Sequence, residues 1–229
     1  MNANHPITGN RGVATSLIEA VLVIAIAAVL SSMAIIASID RIEDARLTQA
    51  INDTQIIGVA IHSFMQDNLF PPAYQQGNAH SAADPIFLVL QSAGQNATVD
   101  MSLNWPTDPT TMDRIENQLI TNMPGGTGMP YPLFGQISYA RMQGWNGPYI
   151  PSLPSSDPWG DKYLVNVQLL TPQGIQMATA PPSTFVLAPG QRPAVFVISA
   201  GPDRVLSTNF LQTASGFTAG GDDIVFRIQ

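Results

Sequence analysis

The residues best suited to chemistry lie near the end of the chain. Asp203, Asp222 and Asp223, the last two preceded by Gly220 and Gly221, are oxygen donors in a glycine-rich setting. A hard cation takes carboxylate and backbone carbonyl oxygens in a flexible loop, and this composition suits it. A solvated acidic turn has the same composition, so the residue types alone leave both readings open. A second carboxylate of interest is Glu19, directly beside the apolar run AVLVIAIAAVL of residues 20–30. A charge in such a setting asks for a specific partner. Other chemistries find less support. With no cysteine there are no disulfides, thiolate metal sites or cysteine nucleophile, and His5, His62 and His80 share no ligand spacing. Neither G-x-S-x-G nor H-E-x-x-H occurs, and no histidine lies near the acidic loop in sequence, so a membrane-anchored hydrolase has no visible machinery. The glycines of PGGTGMPYP, residues 124–132, do not follow a strand, which weakens a phosphate-cradling role. Nine Lys and Arg against sixteen Asp and Glu, with a net charge of -7, argue against nucleic acid as a partner.

The elements that must position these residues divide at about residue 70. No proline occurs between Pro6 and Pro71, and eighteen of the nineteen prolines lie from Pro71 onward. A pro-helical first third therefore precedes a turn-rich remainder. Residues 20–37 carry two serines and no charge over eighteen positions, close to the ~20 that cross a bilayer as a helix. The sequence thus predicts a membrane span. The competing reading is a cleaved secretory signal with Arg11 in its basic region and Ser32-Met33-Ala34 as the cleavage site. Downstream, Ile39, Ile42, Leu47, Ala50, Ile51, Thr54, Ile57, Ile61, Phe64 and Met65 recur mostly at steps of three to five, and only Gly58 interrupts the pattern. One continuous helix over 15–66 is expected, about 78 Å long at ~1.5 Å per residue. A coiled-coil stalk fits less well, because a sustained a/d heptad is missing. Arg11 before the span and Arg41 and Arg46 after it leave its orientation undecided.

In the remainder, Asp84-Pro85 and Asp108-Pro109 read as helix starts, an N-cap followed by proline. Residues 163–170, 184–187, 194–199 and 224–228 read as strands between Pro- and Gly-rich turns. Trp145 and Trp159 sit beside the turn dipeptides Gly147-Pro148 and Asp157-Pro158, where large apolar areas pin loops to a core. The expected fold class is α+β: a long N-terminal helix, with an apolar transmembrane half and an amphipathic half, packed on a C-terminal antiparallel β-sheet.

Several of these residues carry a family resemblance. Thr15-Ser16-Leu17-Ile18-Glu19 followed by an apolar helix resembles the cleavage and assembly motif of type IV pilins and type II secretion pseudopilins. Trp145-Asn146-Gly147-Pro148-Tyr149 and Asp157-Pro158-Trp159-Gly160-Asp161-Lys162-Tyr163 are similar to the paired W-x-G-P-Y and D-P-W-G-x-x-Y motifs of the major pseudopilin. Asp67-Asn68-Leu69-Phe70-Pro71 resembles its D-N-x-aromatic-P, and Ser199-Ala200-Gly201-Pro202-Asp203 with Gly221-Asp222-Asp223-Ile224 resembles its C-terminal calcium loop. Residues 95–143 match nothing in that pattern, and the stretch between Asp203 and Asp222 is longer than the family's short loop.

The resemblance implies a pilin-like domain order: a leader over 1–14, a transmembrane and filament-core helix over 15–38, its amphipathic continuation over 39–70, and a periplasmic globular domain over 71–229. Prepilin peptidase would cut between Ala14 and Thr15, leaving Glu19 fifth in a mature chain open to N-methylation; a cut after Gly12 would leave it seventh. Glu19 would pair with the amino terminus of a neighbouring subunit. Calcium would be held by Asp203 and Asp222 side chains and the Ala200 carbonyl, with Asp223 as a capping or secondary ligand. The implied function is a non-enzymatic subunit of a type II secretion pseudopilus, anchored in a bacterial inner membrane by a single span before assembly. Its partners would be further copies of itself, other pseudopilins, the peptidase and an inner-membrane assembly platform. The alternative within the family is a type IV pilus pilin for adhesion, motility or DNA uptake. The absence of cysteines and the acidic loop favour the secretion branch, because many such pilins close their C-terminal region with a disulfide.

Overall fold

The computed structural model describes residues 11–78, 84–135 and 143–229, with side chains described for all of these except 11–15, 32–37 and 101. Residues 1–10 of the expected leader, His80 and residues 136–142 lie outside the described residues. The chain forms two compact units, Met1–Ala45 and Arg46–Gln229.

Helix α1 spans Arg11–Asn68, 58 residues. In the first unit its described side chains are exposed from Ser16 to Ser31, Glu19 included. The sequence predicts a membrane span here, and the structure corrects this: among the described residues, no helix is long and apolar enough to cross a membrane. The physical reason is length. Between Glu19 and Ser31 the uninterrupted apolar run is residues 20–30, which at ~1.5 Å per residue covers only about half of a ~30 Å hydrocarbon core. The transmembrane half of the helix and the single-pass inner-membrane placement that depends on it are therefore not supported.

In the second unit α1 has one buried face. Ala50, Thr54, Ile57, Ile61, Phe64 and Asn68 are buried at alternating steps of three and four, one stripe of a helix. Ile51, Ile56 and Val59 point away and are about half exposed. Gly58, the single break in the apolar pattern, is explained by tertiary packing: a β-carbon there would collide with the ring of Phe226. The helix ends where Leu69 turns left-handed (φ 58) and its N–H bonds the Met65 carbonyl, just before Pro71.

Among the described residues seven short strands follow: β1 Val89–Gln91, β2 Thr98–Val99, β3 Met112–Arg114, β4 Leu164–Val165, β5 Phe196–Ser199, β6 Val205–Leu206 and β7 Ile224–Arg227. Five of them form one sheet in the order β3-β1-β4-β5-β7, and β2 pairs with β6 in a separate ribbon. The class is α+β, but the expected antiparallel sheet is corrected to a mixed one, because β1 and β3 run parallel, as do β2 and β6. The cause lies in the two Asp-Pro segments. The one at Asp84 leads into β1 and no helix; the one at Asp108 caps a 3-10 turn, Pro109–Thr111, that delivers β3 before the short helix α2, Ile115–Leu119. A long crossover between Gln91 and Met112 returns the chain to the same end of the sheet, which only a parallel pairing accepts. Residues 184–187, expected as a strand, are irregular, and residues 172–179 form an unanticipated helix α3, Pro172–Thr179, capped by Thr171.

Both faces of the sheet are covered. Leu90, Val165 and Val197 pack with Ile57, Ile61 and Phe64 of α1, and Tyr163 fastens the helix through a 2.8 Å bond from its hydroxyl to Asp53 Oδ2. On the other face Val89, Phe196 and Ile198 pack with Trp105, Leu206 and Phe210. That second layer joins two stretches far apart in sequence. The 95–110 segment and the 204–221 loop share the β2–β6 ribbon, a 2.8 Å bond from Trp105 Nε1 to the Thr208 carbonyl, and a Trp105–Phe210 edge contact at 4.9 Å. Burial on both faces makes every residue of β5 apolar or satisfied, which is why its sequence does not alternate.

Candidate functional site

The acidic loop is assembled by strand pairing. β5 and β7 are antiparallel with Ser199 opposite Ile224, so the residues just after β5 and just before β7 meet despite the long loop between them. Ala200 is buried at the end of β5. Gly201 follows with φ 72, and a β-carbon there would stand 2.5 Å from the Asp222 carbonyl oxygen, so this close approach requires glycine. The Asp203 N–H donates to Asp222 Oδ2 at 3.1 Å, while Asp203 Oδ1 accepts from Val205 N at 2.7 Å. Asp223 Oδ2 accepts from Ser207 N at 2.9 Å and Thr208 N at 2.6 Å.

The remaining oxygens of the pair are the informative ones. Asp222 Oδ1 and Asp223 Oδ1 are buried without a hydrogen-bond partner. Buried polar atoms are ordinarily satisfied, so two orphaned carboxylate oxygens in adjacent residues point to an absent counter-group. Burial raises the Asp223 carboxyl above its ordinary value; bonds from Thr208 and Ser207 oppose this, and the nearby Asp222 charge adds to it. A hard cation bonding oxygen fits these donors chemically. The carboxylates do not converge as one ligand shell, however: among the described residues no group of three or more acidic, His or Cys side chains is arranged to hold a metal. Asp203 is the outlier, exposed and turned back on its own loop.

One residue of this region escaped the sequence reading. Arg204 clamps the fully buried carboxylate of Asp161 with two bonds, Nη2 to Oδ1 at 2.7 Å and Nε to Oδ2 at 2.8 Å, and reaches Gln95 Oε1 at 2.9 Å. The bond to Asp161 raises the Arg204 pKa further. Asp157 in turn accepts from Trp159 N, Asp161 N and Ser199 Oγ. The Asp-Pro-Trp-Gly turn is thereby tied to both β5 and the acidic loop. The only local signal was a cation beside Asp203, which does not disclose a partner forty-three positions earlier.

The Trp145 turn is built by packing. Its ring meets Tyr149 edge-on at 5.9 Å and packs on the α1 core, while Asn68 Nδ2 at the end of α1 donates to the Phe64 carbonyl and to Tyr149 Oη. Trp159 is partly buried. No family model, curated protein or solved structure matches the chain.

Of the assembly and processing residues, Glu19 is exposed on α1 and has no cation within ion-pair distance among the described residues. Ala14 and Thr15 lie within the helix, their side chains outside those described. The structure brings Ala200, Asp203, Asp222 and Asp223 into one loop; Glu19, Ala14 and Thr15 belong to the other compact unit.

Proposed function

We propose that the chain is a structural, non-enzymatic subunit of a filament of the type II secretion pseudopilus kind, built from copies packed through α1. The observation that carries this reading is the exposed apolar surface of the first unit. Leu17, Ile18, Val21, Leu22, Val23 and Ile24 are all more than half exposed, and Ile26, Val29 and Leu30 continue the run. A contiguous apolar helix surface of this kind is rare on a free soluble chain and marks an interaction site. Equivalent helices of other copies supply a matching apolar partner, and their burial is favourable at roughly 25 cal/mol per Å². Glu19 sits beside that surface and would be buried with it, where a carboxylate needs a cation. The newly freed amino terminus of a neighbour, after removal of residues 1–14 between Ala14 and Thr15, supplies one.

Calcium belongs to the same reading. Asp222 and Asp223, through their unpartnered oxygens, and the Ala200 carbonyl would hold the ion, with Asp203 closing the loop from its exposed side. Bound there, calcium supplies charge neutralisation that fixes the β5–β7 end of the domain.

The test is Glu19→Ala in a host carrying the processing peptidase. The expected result is processed protein that forms no filaments by electron microscopy. Normal filaments from the variant would refute the role of Glu19 in assembly.

A further inference from the structure

The second face of the sheet contains a cavity of about 440 Å³ between the strands and the 96–109 segment. Its floor is Val89 of β1, Met112 of β3 and Leu164 of β4; Ala97, Val99 and Trp105 form its roof. The walls are mostly apolar, with Gln91, Asn96 and Thr107 as neutral polar members and Lys162 as the one charged side chain of the lining. Its size and chemistry are those of a small-molecule site, in which an apolar body is enclosed and a few polar groups fix its orientation.

Lys162 is the unusual member. Its ammonium donates to Gln91 Oε1 at 3.0 Å, and among the described residues no carboxylate lies within ion-pair distance of it. The nearby acids are already engaged. Asp161 is held by Arg204, Glu116 lies 3.7 Å from Arg114, and Asp113 accepts from Arg114 N, Asn117 Nδ2, Gln118 Nε2 and Gly125 N. Desolvation, with the Arg114 charge as a lesser cause, lowers the Lys162 pKa, the sign of an ammonium lacking a counter-ion.

We propose that this cavity binds a small amphiphilic carboxylic acid, its apolar body between the sheet and Trp105 and its carboxylate on Lys162 Nζ. The indole N–H of Trp105 is committed to the Thr208 carbonyl, so the ring presents only apolar surface to a ligand. Gln91 Oε1 holds the ammonium at the cavity wall, and the Gln91 amide nitrogen, like the Asn96 and Thr107 side chains of the lining, offers a further polar group to a carboxylate. The proposal does not depend on the filament reading.

The test uses the full chain labelled at methionine methyls, with the Met112 signal identified by Met112→Leu. The probes are 4-phenylbutyrate and its neutral isostere 4-phenylbutyramide. The acid is expected to move the Met112 methyl saturably and to bind at least about tenfold more tightly than the amide, while the exposed Met129 and Met177 stay unmoved. Lys162→Met should bring the acid down to the affinity of the amide and leave the amide unchanged; Lys162→Arg should retain most of the difference. No saturable Met112 shift, or equal binding of acid and amide by the unmodified chain, overturns the proposal. So does an unchanged preference in Lys162→Met. If that variant does not fold, the acid-to-amide ratio of the unmodified protein decides alone.

Discussion

The two faces of α1 within Arg46–Gln229 should respond oppositely to mutation. Ile61 is fully buried among Ile57, Phe64, Tyr163 and Val165. Ile61→Ala removes buried methyl groups and leaves a cavity, at a cost of about 2–5 kcal/mol that the better helix propensity of alanine offsets by only ~0.4. For a body of this size one kcal/mol shifts the melting temperature by about 2–4 °C, so a fall of roughly 5–15 °C is expected. The paired substitution Ile56→Ser and Val59→Ser touches the half-exposed side of the same helix. Changes at such positions stay within about 0.5 kcal/mol each, so the monomer should melt almost normally. If that face is covered by other copies, filaments should be lost all the same. Thermal unfolding by circular dichroism and electron microscopy read the two outcomes separately. A melting temperature insensitive to Ile61→Ala would refute the docking of α1 on the sheet. A large loss from the serine pair would show that Ile56 and Val59 are covered within one chain, and normal filaments from it would remove this face from the assembly.

Other expectations follow from the loop and from the tyrosines. Calcium at about a hundred times its dissociation constant should stabilise the fold by about 2.7 kcal/mol, a melting shift of ~5–10 °C, and Asp222→Asn should abolish it; no shift on adding calcium or chelator would remove the ion from the proposal. Gly201→Ala combines a left-handed backbone with a 2.5 Å approach to the Asp222 carbonyl, so it should cost at least about 1–3 kcal/mol, and an unchanged melting temperature would mean that the loop re-forms freely. Burial pushes Tyr149 up to about 12 from an ordinary 10.0, and raises Tyr131 and Tyr163 further. An unfolded tyrosine loses its proton first, so the folded state holds more protons above the ordinary value. That stability is present below pH 10 and declines as pH rises through the folded values. Tyrosinate absorbance should appear together with unfolding; complete titration near pH 10 without unfolding would contradict the burial.

The helix was legible because its information is local. Period, proline exclusion and the Asp-Asn-Leu-Phe-Pro terminus mark α1 to within a few residues at each end, and the stripe from Ala50 to Phe64 is buried as its spacing requires. The Asp-Pro segments misled for the opposite reason. An N-cap signal states that a turn begins, and the tertiary layer above the sheet decided that the residues after it should extend as β1 and β3. The apolar run of 20–30 looked long enough to span a bilayer only when joined across Ser31 and Ser32 to residues 33–37.

The acidic loop shows the same division. Residue type alone placed oxygen donors at Asp203, Asp222 and Asp223, because carboxylate chemistry is a property of the side chain. Which oxygens are left without partners depends on the β5–β7 register, and the Arg204–Asp161 clamp on the path of the chain between them. The cavity beside Lys162 was invisible in the sequence for that reason: its walls come from β1, β3, β4 and the 96–109 segment, residues dispersed over some seventy positions. Composition and periodicity determined the helix and the donor chemistry, since both act over a few residues. Parallel strand order, the second layer and the unpartnered charges were decided only when distant segments packed, because burial and ion pairing are energies between residues that the linear order keeps apart.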